Sequence, residues 1–180
     1  MLQLLLSYFS QLVVDSALHD GRSIANFILD DCEAIGRLIS NVELQKIIYF
    51  CHAWTLVETG QPLIKHLFEA WDYGPVLPYL WREFTTFGKA PITARAQRLN
   101  PMTGRQEIAV YNLDVETRTF LSKIIAFYSR IDAFDLVELS HVAGGPWHKV
   151  WNHLGEVNPG MKIDHSDIEK FYAGARRPFS

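Results

Sequence analysis

Histidine carries the most obvious chemistry in this sequence, because three of its seven histidines lie close together near the C-terminal end. His141, His148 and His153 follow Glu138, and such side chains can bind a metal ion or transfer protons. Their spacings of seven and five residues do not share one helical face, and Gly144-Gly145-Pro146 interrupts the helical pattern. Because no Cys-x-x-Cys or His-x-x-x-His pairing accompanies them, we expect capping or surface histidines, with no metal and no other cofactor.

Two possible nucleophiles stand directly beside a histidine, Cys51 before His52 and Ser140 before His141. Neighbouring residues of a helix point about 100° apart, so neither histidine can accept a proton from the residue before it. An activated nucleophile needs a base within hydrogen-bond reach. The sequence also lacks a glycine-rich loop with a phosphate-binding pattern. These features argue against nucleophilic catalysis by either residue.

Carboxylates flank an aromatic stretch, Phe68–Pro78, which also contains a Gly-Pro pair and a second proline. Glu69 and Asp72 beside Tyr73 could form an acidic pocket for proton transfer. Carboxylates are mostly solvated, however, and we favour ordinary exposed side chains beside buried aromatics. We interpret the stretch as the corner where the fold changes direction.

Aromatic residues are abundant, at 13% of the chain, and many cluster around Trp71, Trp81, Trp147 and Trp151. Large aromatic side chains fill protein cores, and they also anchor interfaces between proteins. Composition does not separate these two uses, and one tryptophan can serve both.

The totals describe an ordinary globular protein. A chain of 180 residues suits one domain, and a net charge of −3 without long charged blocks makes nucleic acid an unlikely partner. Two cysteines, Cys32 and Cys51, do not make a disulfide framework, and we expect buried free thiols in the cytoplasm. Met1–Val14 is apolar but contains no Lys or Arg and is shorter than the ~20 residues that span a bilayer, so we expect no membrane association.

The hydrophobic pattern predicts an α+β fold that is mainly α-helical. Ser40 and Glu43 have the spacing of a capping box, and the apolar stripe behind them predicts a central helix covered on more than one side. We expect a small antiparallel β-hairpin at about residues 92–113, with Leu67–Trp71 as the candidate for a third short strand. Residues 1–19 form a helical extension in this interpretation, residues 20–173 the single compact domain, and residues 174–180 a frayed tail.

Four stretches of the sequence resemble motifs of one known family. Ser40–Trp54 resembles the L-x-L-Q-K-L-L-Y-x-x-x-x-W helix of the Panacea domain, and Glu69–Val76 is similar to its A-W-x-y-G-P-V signature. Gly145–Trp147 resembles its later G-P-W element, and Ile168–Tyr172 resembles its closing helix. The chain is thus similar to the SocA-like antitoxin family, which includes the phage-associated GepA proteins.

The resemblance implies a function without catalysis. Panacea proteins look like antitoxins that neutralise toxins encoded beside them by direct protein binding, in type II toxin–antitoxin or prophage-associated systems. The partner it implies is therefore a protein toxin encoded nearby. Gln45 and Tyr49 fall off the main apolar stripe of the motif helix, which suggests a surface shared with the corner. We expect the partner-binding residues to be Gln45, Lys46, Tyr49, Trp71, Tyr73, Gly74, Pro75 and Trp147.

Two other function classes stay open at this point. One is a regulatory or proteolytic adaptor that recruits a different protein, such as a protease or a host factor. The other is a hydrolase or nuclease that uses the histidine-rich C-terminal third, which would require a buried cluster of histidines and carboxylates.

Overall fold

The computed structural model describes residues 18–155, 158 and 160–179. The expected N-terminal extension therefore lies outside the described residues, except for Leu18 and His19. The described helices are α1 (Gly21–Ala34), α2 (Asn41–Thr59), α3 (Pro78–Glu83), α4 (Val115–Tyr128), α5 (Ala133–Ser140), α6 (Pro146–Trp151) and α7 (His165–Ala173), with a 3-10 turn at Thr85–Phe87. The described strands are β1 (Phe68–Trp71), β2 (Gly74–Val76), β3 (Gln97–Leu99), β4 (Gln106–Ile108) and β5 (Lys162–Ile163). The predicted α+β, mainly helical class is confirmed. None of the described helices has the length and apolar character needed to cross a membrane.

Helix α2 lies at the centre of the domain, as its sequence predicts. Ser40 accepts a hydrogen bond from the Glu43 amide, and the Glu43 carboxylate accepts one from the Ser40 amide. This capping box satisfies backbone N–H groups that a helix start otherwise leaves free. Helices α1, α4, α5 and α7 and strand β2 all contact α2. Because α2 is covered on so many sides, its polar residues are buried together with its apolar ones.

Aromatic packing fixes α4 against α2. The Phe50 ring stacks on Tyr128 with centroids 4.1 Å apart, and the indole N–H of Trp54 donates to the Tyr128 hydroxyl at 3.0 Å. Stacked rings and a hydrogen-bonded hydroxyl give directional contacts in addition to the burial of apolar surface. Tyr128 is consequently buried although it carries a hydroxyl.

Both cysteines are buried free thiols, as predicted. Burial raises the pKa of Cys32 to about 12 and raises the pKa of Cys51 well above its ordinary value. Since the thiolate is the reactive form, neither side chain is activated for nucleophilic chemistry.

The aromatic corner is a β-hairpin within a three-stranded antiparallel sheet of order β2-β1-β5. Trp71 pairs with Gly74, so Asp72 and Tyr73 form the two-residue turn between β1 and β2. Pro75 is tolerated in β2 because this strand lies at the sheet edge. The predicted strand near residues 67–71 is confirmed, but β1 does not extend the hairpin at 92–113. It pairs instead with β2 and with β5, far along the chain.

The second hairpin is shorter than the predicted range of 92–113. Only β3 and β4 pair, and both strands are exposed. The hairpin is held by Asn26 of α1, whose side-chain amide donates to the carbonyls of Ala96 and Ala109 at 3.0 and 2.9 Å. The Asn26 oxygen also accepts from the Ala96 amide at 2.7 Å. One buried side chain thus supports two strands that would be marginal alone.

The C-terminal tail is anchored rather than frayed. Phe179 packs edge-on against Trp54 and Phe120, with centroids 5.5 and 6.1 Å away, and Arg177 forms an ion pair with Glu58. The expectation of a frayed tail is therefore wrong as far as Phe179. Chain termini usually fray, but the aromatic contacts of Phe179 stabilise this one.

Candidate functional site

Three polar side chains of α2 hold backbone groups of the corner and of the helix that follows it, and we call them the polar clamp: Asn41, Gln45 and Lys46. Each binds a different backbone group: Asn41 donates to the Trp81 carbonyl at 3.0 Å, Gln45 accepts from the Leu77 amide at 3.0 Å, and Lys46 donates to the Pro75 carbonyl at 2.8 Å. Buried backbone groups outside regular ladders need such partners. The clamp therefore joins the motif helix and the corner motif into one structural unit.

Six of the eight predicted partner-binding residues are buried, namely Gln45, Lys46, Tyr49, Gly74, Pro75 and Trp147. Gln45 and Tyr49 are 0% exposed, and Lys46 is 1% exposed. Tyr49 packs edge-on against Phe68 at 5.3 Å, and burial raises its pKa above the ordinary range. The structure thus does not place Gln45 and Tyr49 on an open surface shared with Tyr73. The amphipathic pattern misleads here because α2 is covered on the side that carries these residues.

Gly74 allows the close approach between the corner and the clamp. Its φ of +95° is a backbone conformation that other residues rarely adopt. A Cβ at this position would lie 2.4 Å from the Ser140 hydroxyl oxygen and 2.9 Å from the Lys46 nitrogen. Both the backbone conformation and the space require glycine, so Gly74 and the adjacent Pro75 shape the corner from within.

Trp71 and Tyr73 form the outward part of the corner. Tyr73 is 68% exposed, and Trp71 is half-buried. The Trp71 indole N–H donates to the Glu69 carboxylate at 3.1 Å, and its ring meets Trp81 edge-on at 6.3 Å. Glu69 is thus engaged in holding a tryptophan.

Trp147 supports the corner from behind. Its indole N–H donates to the Trp71 carbonyl at 2.9 Å, and only 6% of the residue is exposed. The Trp147 ring stacks between His141 and Trp151, with centroids at 3.5 and 5.5 Å. His141 accordingly belongs to an aromatic stack. Among the described residues, no three His, Cys, Asp or Glu side chains are grouped closely enough to bind a metal.

The corner encloses a pocket of about 420 Å³, which we call the aromatic pocket. Its volume falls within the range of small-ligand sites, and its walls are mostly apolar. The lining residues are Val42, Lys46, Ala70, Trp71, Asp72, Tyr73, Val76, Trp81 and Trp151. Three of the predicted partner-binding residues line it directly, namely Lys46, Trp71 and Tyr73.

Sequence reasoning did not assign Val42, Asp72, Trp81 or Trp151 to this site. One signal was available, because Val42 and Lys46 are four residues apart and share a helix face. The remaining members come together only through the corner hairpin and the helices beyond it.

Lys46 is a buried amine with a single hydrogen-bond partner. No carboxylate of the described residues lies within 4.0 Å of it, and its one acceptor is the Pro75 carbonyl. Burial lowers the pKa of Lys46 to about 7, since an ammonium ion loses solvation inside the protein. Burial also lowers the pKa of nearby His141, and the charge of Lys46 adds to that effect.

A second histidine contact ties α2 to the start of α7. His52 Nε2 lies 3.0 Å from His165 Nδ1, and His52 Nδ1 accepts from the Ile64 amide at 3.2 Å. The hydrogen bond to Nδ1 assigns the proton of neutral His52 to Nε2, which donates to His165. Burial, followed by the neighbouring His165, lowers the pKa of His52 to about 3. This pair is a structural link, and both nitrogens of His52 are occupied, one by His165 and one by the backbone.

Comparison with known proteins identifies the family to which the chain belongs. The family model described as "Antitoxin SocA-like, Panacea domain" matches residues 44–148, a range that includes the clamp residues Gln45 and Lys46, the corner and Trp147. The chain belongs to this family. It is 36% identical over 145 residues to Antitoxin SocA of Caulobacter vibrioides (strain NA1000 / CB15N), which covers 80% of this chain and 77% of that protein. Among solved structures, no significant match was found. Family membership supports an antitoxin-like role and suggests that the role is not enzymatic.

Proposed function

We propose that this protein is an antitoxin that binds a protein toxin directly and thereby neutralises it in the cytoplasm. The observation that carries the proposal is the 36% identity to an antitoxin across 80% of the chain. On this proposal the toxin is encoded nearby, as in type II or prophage-associated systems. No chemical step is required, because occupying the surface through which a toxin acts is sufficient to block it.

We place the toxin-facing surface at the corner. Tyr73 and Trp71 would contact the toxin directly, because they are the outward aromatics beside the pocket. Exposed or half-buried Tyr and Trp side chains are frequent anchors of protein interfaces. Gln45, Lys46, Tyr49, Gly74, Pro75 and Trp147 would contribute from behind, by fixing the shape and polarity of that surface.

The experiment measures the affinity of the purified protein for the product of the adjacent reading frame. Tyr73→Ala should weaken binding by at least about tenfold, since anchor residues contribute roughly 1–2 kcal/mol or more. Phe134→Ala is the matched control, because Phe134 is 72% exposed and does not line the pocket.

Equal affinity of the wild type and the Tyr73→Ala variant would refute the placement of the surface. Absence of any complex with the adjacent product, together with capture of a protease or host factor, would favour the adaptor alternative.

A further inference from the structure

Lys46 is a buried amine, and no carboxylate of the described residues pairs with its ammonium form. A buried ammonium is destabilising unless it is paired with an anion or fully hydrogen-bonded. Here one N–H donates to the Pro75 carbonyl, and the other two have no acceptor among the described residues. The residue is 1% exposed, so bulk water does not replace the missing partners. An incoming anion would therefore stabilise the ammonium form of Lys46, which burial disfavours in the free protein.

The surroundings of Lys46 define what else such an anion must carry. Lys46 lines the aromatic pocket, whose walls include the rings of Trp71, Trp81 and Trp151. These walls favour a flat apolar group, and their low polarity strengthens any charge pair formed beside them. The complementary ligand thus combines one carboxylate with an aromatic or aliphatic side chain.

We propose that the aromatic pocket binds a partner segment in which a glutamate or aspartate stands beside an aromatic residue. The acidic side chain pairs with Lys46, and the aromatic side chain packs against the tryptophans. This proposal rests on the proposed function, and it names the chemistry by which the toxin is recognised.

The confined space around Lys46 favours an acidic side chain over a chain-terminal carboxylate. Lys46 Nζ lies beneath the corner, where even a Cβ on Gly74 would be only 2.9 Å from it. A slender side chain can enter so confined a place more easily than a backbone with its amide groups.

The test compares two capped peptides, acetyl-Glu-Trp-amide and acetyl-Gln-Trp-amide, which differ by one charge. Their binding to the isotope-labelled full chain is followed at neutral pH through the indole N–H signals of Trp71, Trp81 and Trp151. The glutamate peptide should bind about tenfold more tightly, as expected for one charge-assisted hydrogen bond. Acetyl-tryptophan, which offers only a terminal carboxylate, should bind more weakly than the glutamate peptide.

Matched variants assign the preference to Lys46. Lys46→Met keeps an unbranched side chain, one atom shorter and without charge, and should abolish the difference between the two peptides. Lys65→Met, at an exposed lysine outside the pocket, should preserve it. Trp151→Ala should weaken both peptides to the same degree, because it removes a wall and leaves the charge. This second variant tests the pocket without depending on Lys46→Met.

Equal binding of the two capped peptides, or tighter binding of acetyl-tryptophan, would overturn the proposal. Neutralisation of the toxin by Lys46→Met as strongly as by the wild type would also overturn it, while leaving the proposed function intact. A glutamate preference without any complex with the adjacent gene product would support the pocket chemistry and refute the proposed function.

Discussion

Replacing Lys46 by methionine should change how the stability of this protein depends on pH. Burial lowers the pKa of Lys46 from its ordinary value of 10.5 to about 7. Between these two values the unfolded chain binds a proton that the folded protein has released. Stability of the wild type therefore rises with pH across this window, and below about pH 7 this contribution is flat.

The magnitude follows from the linkage of one proton. Each pH unit contributes about 1.4 kcal/mol to the free energy of unfolding, so the rise from pH 7 to pH 9 amounts to about 2 kcal/mol. Cys32 and Cys51 act in the opposite direction near the top of this range, because burial raises the pKa of both thiols. His141, the neighbouring titratable group, has a lowered pKa and is neutral throughout. These groups are present in both proteins and cancel in the difference.

The assay is urea unfolding of the wild type and of Lys46→Met at pH 7, 8 and 9. Methionine places no charge in the interior, so the variant should be favoured most at pH 7. That advantage should shrink by about 2 kcal/mol at pH 9. A difference that stays constant across the range would refute the reasoning, because it would mean that Lys46 titrates alike in the folded and unfolded states.

Three other substitutions test separate parts of the structure. Gly74→Ala should lower the free energy of unfolding, measured in urea, by about 2–3 kcal/mol, because the added Cβ clashes with its neighbours and strains the backbone. Gly88→Ala is the control, since Gly88 also has a positive φ, of +55°, but has open space around it, and its free energy of unfolding should fall less. Equal losses in the two variants would contradict the clash. Asn26→Leu removes three hydrogen bonds to the second hairpin and should lower the free energy of unfolding by about 2–4 kcal/mol. Amide hydrogen exchange in β3 and β4 should become faster. Unchanged exchange would contradict the role of Asn26 in holding this hairpin. Between pH 6.5 and 4.5 His52 should contribute a loss of about 2 kcal/mol, because its unfolded form takes up a proton while the folded form has a pKa of about 3. His52→Gln should reduce the slope by that amount, and the part due to the other histidines with a lowered pKa should remain. An unchanged slope would contradict the buried neutral histidine.

The helices could be predicted because their signals are local. Asp20 caps α1, the Ser40–Glu43 box opens α2, and Asp114 caps α4, each within a few residues of the helix it starts. The strand at Phe68–Trp71 was also visible in the sequence. Its pairing with β5 was not, because the two are separated by most of the C-terminal half of the chain.

The candidate site was predicted in its outline and missed in its interior. Trp71 and Tyr73 lie at the pocket, as the corner motif suggested. Gln45 and Lys46 have the polarity of surface residues, and their burial depends on backbone groups more than twenty residues away. Hydrophobic periodicity does not predict such distant partners, because it indicates only which residues share a helix face.

The most direct test of the central claim is growth of cells that express the adjacent reading frame, with and without this protein. The account predicts that the adjacent product arrests growth, that this protein restores it, and that the two proteins purify as one complex. It also predicts that Trp71→Ala combined with Tyr73→Ala loses both rescue and complex, while Phe134→Ala keeps both. Rescue without a complex, or full rescue by the double variant, would contradict neutralisation through the aromatic corner.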